Sequence, residues 1–119
     1  MSGHARLLKP ASRSSAWREG FNTPRRNDDN GAWCGGMTYQ HRQAGGKCAI
    51  CGDAYNDPVP RRMEAPGRMA TGTITGEYRE GQTIKITVHV TANHKGVFVF
   101  KLCPNNNINQ DPDQSCFDK

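Results

Sequence analysis

Two histidines carry the residue types for metal chemistry: His4, close to the start of the chain, and His94, in the run Thr91, Ala92, Asn93, His94 that closes an alternating stretch. A histidine at a mature N-terminus offers one metal ion both its α-amine and its imidazole. A second imidazole from the end of a rigid strand completes a T-shaped set of three nitrogens. Such a set suits Cu(II), and its open positions permit reaction with oxygen species. Met1, Ser2 and Gly3 are too short and polar for a signal peptide and read as initiator residues ahead of a mature start at His4.

The other candidate ligands read more simply. His41, among Tyr39, Gln40 and Arg42, is expected to be a solvated loop residue, and His89 a cross-strand partner on a polar strand face. Cys48 and Cys51 form a C-x2-C unit that structural disulfides, a zinc knuckle or a redox pair could each explain. Zinc needs two further ligands, and Cys34 and His41 do not fall into a second paired spacing. A redox pair belongs at a helix N-terminus in a βαβ unit, whereas glycine-rich loop surrounds this one. Structural disulfides are therefore expected, with Cys34 joined to Cys48 or Cys51 and Cys103 joined to Cys116. Five cysteines leave one over, either a reactive thiol, half of an intermolecular bridge, or one whose partner lies beyond this sequence.

Cross-links are needed because apolar content is low. Leu, Ile, Val and Phe make up 17 of the 119 residues, under the ~20% at which polar chains begin to resemble disordered ones. Disulfides replace missing core burial in oxidising compartments, which points to a secreted protein. Residues 4–33 read as an extended, turn-rich opening, and 34–70 as loops pinned by cysteines. From 82 to 91, Ile84, Ile86, Val88 and Val90 alternate with polar residues, the period of a half-buried strand. A second strand is expected over 97–102, after a hairpin-like turn, and a weaker one over 69–78. Short strands between turns argue for an all-β immunoglobulin/fibronectin-III-like sandwich with long disulfide-pinned loops. Two clear strands are too few to close one, so the sequence reads as ending before the sandwich is complete.

The net charge of +5 comes from scattered arginines with no dense stripe, so nucleic acid is not expected as a partner. No stretch approaches the ~20 apolar residues of a membrane span.

Several separated blocks, in order, carry a resemblance. His4, Ala5, Arg6 and Leu7, then Trp17, Arg18, Gly20 and Phe21, are followed by Cys34, Gly35 and Gly36. The run from Gly46 through Cys48 and Cys51 to Tyr55, the Thr91 to His94 run, and Leu102, Cys103, Pro104 and Asn105 complete the set. Together they resemble the lytic polysaccharide monooxygenases of auxiliary-activity family fifteen, which carry a chitin-binding type-4 domain. The resemblance makes 4–119 the N-terminal portion of one catalytic domain and implies oxidative cleavage of crystalline chitin or cellulose, with copper, an external electron donor and O2 or H2O2. A secreted monomer with an immunoglobulin-like β-sandwich is expected. His4 and His94 match the two brace histidines, both metal ligands and catalytic, and Ala92 matches the small residue that packs beside the axial copper face.

Three departures from the family pattern accompany it. Residues 1–3 turn the nitrogen of His4 into an amide, and loss of Met1 would leave Ser2, Gly3, His4, a strong square-planar Cu(II) chelator. Ala5 stands where glycine is usual. The late strand with an axial aromatic has no counterpart here, and Tyr78 and Phe98 are expected to pack in the core instead. Two other classes fit the same residues: a chitin-binding module without redox chemistry, and a zinc-stabilised interaction domain that uses the cysteines and His41.

Overall fold

Alternation of Val and Thr in the 82–91 stretch does produce a strand, shorter and later than its pattern suggests. The computed structural model describes residues 4–93 and 95–119. Among them β1 (His4–Lys9) and β2 (Thr87–Ala92) form one antiparallel sheet. The opening residues are thus a strand rather than a loop-like lead-in, and Pro10, which has no N–H to give a ladder, follows directly on its end. Leu7 pairs with Val88, Arg6 with His89, Ala5 with Val90 and His4 with Ala92.

Two irregularities interrupt this register, and one concerns the metal candidate. Between the pairs Ala5–Val90 and His4–Ala92, Thr91 is an extra residue on β2, so the strand bulges beside His4. Bulges re-aim side chains. At the bulge the Thr91 hydroxyl donates to the His4 carbonyl oxygen at 3.3 Å.

The expected strands over 69–78 and 97–102 are not formed among the described residues. Val97, Phe98, Val99 and Phe100 are each more than half exposed although they are consecutive, so neither face of this segment is covered. A strand requires a neighbour to take its N–H and C=O groups, and no described segment pairs with this one. Tyr78 and Phe98, expected in the core, are likewise exposed.

The core lies instead among the loops and consists of small residues. Ala11, Ala16, Ala44 and Ala49 are buried with Ser14 and Ser15, and Met63 and Met69 are its two large side chains, each 1% exposed. Polar contacts stitch these loops together. Arg13 donates to the Met63 carbonyl at 2.7 Å and to Asp111 at 2.7 Å, and Asp53 accepts from the Met63 N–H at 3.0 Å. Asp111 also accepts from the Ala65 N–H at 2.9 Å, so one carboxylate ties the tail to two earlier loops. Burial alone would push that carboxyl up. The Arg13 and Ala65 hydrogen bonds outweigh burial and hold it below the usual carboxylate range.

Covalent links finish the job that apolar burial leaves undone. Cys34 is joined to Cys48 and Cys103 to Cys116, within the pairings expected from the sequence. The first closes the loop that carries helix α1 (Met37–Arg42). The second fastens helix α2 (Gln114–Phe117) to the segment after residue 102. Loop closure of this kind chiefly restricts the unfolded chain.

Candidate metal centre and its surroundings

His4 opens β1 opposite Ala92, which closes β2. His94 lies outside the described residues, two positions beyond Ala92 in the sequence. Among the described residues neither ring nitrogen of His4 has a hydrogen-bond partner, so either one, when unprotonated, is open to a metal. A small side chain faces His4 across the sheet, which leaves room at this end of the strand pair. The described part of the donor set therefore fits a metal held by nitrogen.

His4 is surrounded by residues whose own sequence context signals no role. The edge of the Trp33 ring approaches the His4 ring, with centroids 5.9 Å apart and planes at 61°. Trp33 is itself 54% exposed, so a large flat aromatic stands at the surface beside the histidine. Asp29 is buried, and its carboxylate accepts from Arg6 at 3.0 Å and from Arg18 at 2.7 and 3.1 Å. Arg6 also reaches His89, its cross-strand partner, with Nη1 2.9 Å from Nδ1. A guanidinium only donates, so Nδ1 accepts and the ring proton sits on Nε2. His89 is thus the cross-strand partner expected of it, bonded to arginine.

Asp29 falls in the run Asn27, Asp28, Asp29, Asn30, Gly31, whose composition signals only a turn. Its burial could not be read from that run. A usable hint was the pair Arg6 and Arg18, two cations in a stretch otherwise short of charge partners.

The cysteines do other work. Cys34 and Cys48 are consumed by their disulfide, which removes them as thiolate ligands and disfavours the zinc and redox readings of the C-x2-C unit. His41 ends up exposed in α1 rather than in a loop. Cys51 is a free, half-buried thiol 3.9 Å from Asp111. Burial pushes its thiol up to about 11, with Arg13 pulling down and Asp111 pushing further up. Reactivity follows the thiolate. Alkylation of Cys51 by iodoacetamide at pH 7.5 is expected to be on the order of 100-fold slower than that of an exposed cysteine. Labelling at the rate of a free thiol would contradict this environment.

Comparisons with known proteins bear on the whole chain. Residues 4–119 match the model of a family described as lytic polysaccharide mono-oxygenase, cellulose-degrading. Among solved structures, a lytic polysaccharide monooxygenase of family AA15 from Thermobia domestica, in the Cu(I) state, is similar at 42% identity with a TM-score of 0.92. The likeness covers 97% of this chain and 59% of that one, so the chain spans about three fifths of that structure's length. No curated protein matches. At that identity and TM-score the fold class is the all-β, immunoglobulin-like sandwich expected from the sequence. No helix among the described residues is long and apolar enough to cross a membrane.

Proposed function

Because the chain belongs to the lytic polysaccharide monooxygenase family, we propose that it forms part of a secreted copper enzyme that cleaves crystalline chitin or cellulose oxidatively. His4 and His94 are the histidines that would hold the metal. The observation that carries this reading is the pairing of His4 with Ala92, which brings the start of β1 to the end of the strand that leads to His94. Copper, the family's metal, supplies one-electron chemistry toward O2 or H2O2 when an external reductant reduces it.

The chain's own residues prepare the surroundings. Ala92 is a small residue paired with His4, and beside a metal held there it would leave room for other ligands. Trp33 presents an exposed ring next to His4, a surface on which a sugar ring can stack. Both features suit a substrate that is an extended solid and cannot enter a deep cleft.

Mass spectrometry of soluble products tests the reading. A version beginning at His4 and extended at the C-terminus to a complete catalytic domain, incubated with ascorbate on chitin and on cellulose, is expected to release oligosaccharides with oxidised ends from at least one substrate. One copper is expected per chain, and His94→Ala is expected to abolish both the products and the stoichiometric copper. Products lacking oxidised ends on both substrates would reject the enzyme. Tight retention on the polysaccharide without such products would indicate a binding module instead.

A further inference from the structure

The geometry points to Asp29 and Thr91 as positioning residues for His4, acting through a strap formed by residues 29–33. The functional meaning of this inference rests on the copper reading above, whereas the structural device does not. The strap meets His4 at three levels. Its Asp29 carboxylate, with no exposed side-chain surface, grips Arg6, two residues along β1 from His4. Arg18 closes the other side of the same carboxylate. One residue further, the Asn30 amide donates to the Thr91 hydroxyl at 2.8 Å, and that hydroxyl donates to the His4 carbonyl oxygen at 3.3 Å. An amide N–H only donates, so the direction of the Thr91 hydroxyl is fixed. Finally Trp33 sets its ring edge against the His4 imidazole.

The far end of the strap is equally held. Cys34, next to Trp33, is bound to Cys48, and its N–H donates to the Gly52 carbonyl at 3.0 Å. Strand, carbonyl and ring of the histidine are thus all addressed by one short segment anchored at both ends. Contacts that fix the backbone and ring of a metal-binding histidine reduce the ordering that binding must supply, one step outside the direct imidazole partners whose loss usually weakens a site 10–100-fold.

A purely structural ion pair would stabilise the fold without setting the pose of His4, and two readouts separate the roles. Thr91 is exposed, so Thr91→Val removes the hydroxyl at little risk to folding, and Thr91→Ser restores it. In the metal-free protein, Thr91→Val and Asp29→Asn are expected to shift the His4 ring resonances in NMR spectra, and each to weaken the Cu(II) dissociation constant about 10-fold. Thr91→Ser is expected to keep both near those of the unaltered protein. Asp28→Asn, at an exposed neighbouring carboxylate, is expected to change neither. If Asp29→Asn does not fold, the Thr91 pair decides alone. Unchanged His4 resonances in Thr91→Val would overturn the proposal. A protein beginning at His4 that binds no copper would defeat the copper reading, while the His4 resonances would still judge the strap.

Discussion

Deleting residues 1–3, so that the nitrogen of His4 becomes a free amine, is expected to tighten Cu(II) binding by on the order of 100-fold. The cause is the chemistry of one atom. In the full chain that nitrogen belongs to a peptide bond, and its lone pair is delocalised into the carbonyl. A freed amine would add a donor on the same residue as the imidazole, forming a chelate to which His94 contributes the third nitrogen. Deleting Met1 alone has a different outcome. The terminus then reads Ser2, Gly3, His4, and Cu(II) would be wrapped in a square-planar set that has no need of His94. Copper titrations and EPR spectra of the three proteins, each with and without His94→Ala, distinguish these cases. The His94 change is expected to weaken binding strongly only in the protein that begins at His4. Identical spectra for the full chain and the version starting at His4 would refute the role given to the amine.

Asp29→Ala is expected to lower folding stability by about 3 kcal/mol. The carboxylate is fully covered, while the side chains of Arg6 and Arg18 are 12% and 30% exposed. Removing it leaves two guanidinium groups side by side with no counter-charge, and neither is free to swing wholly into water. Breaking a buried charge network from its centre is costly for this reason, even where the intact network contributes little net stability. Arg18→Ala should cost less, about 2 kcal/mol, because Arg6 still pairs with Oδ1 and keeps a counter-charge on the carboxylate, although Oδ2 loses its partner. Urea unfolding of the two variants checks the order. Equal losses, or a loss below about 1 kcal/mol for Asp29→Ala, would mean that the network is effectively solvated.

Different parts of this molecule were legible to different degrees. Cysteine spacing offered Cys103 with Cys116 and Cys34 with either of two partners without deciding among them, since even four cysteines allow three arrangements, and the fold supplies the choice. Alternation located β2 to within a few residues, since β-branched residues at period two have little other use. The same signal failed over 97–102, where Val and Phe describe a willing strand but pairing depends on a neighbour that no local pattern can supply. Around His4, the family resemblance identified the histidine and Ala92, and the register sets them opposite each other. Asp29, Thr91 and Trp33 escaped notice for separate reasons. Asp29 sits in a turn-forming run, the reach of Thr91 toward His4 depends on a bulge that breaks alternation, and Trp33 adjoins a cysteine whose cross-link dominates the reading of that stretch.

The bulge at Thr91 has a bearing on entropy. The ends of strands ordinarily fray, and His4 is the first residue of β1. A donor on a fraying end must be immobilised by the metal itself, and that ordering subtracts from affinity. With the bulged threonine on its carbonyl and Trp33 against its ring, His4 loses this freedom when the protein folds. An arriving ion would meet a preorganised ligand, and more of its coordination energy would appear as binding.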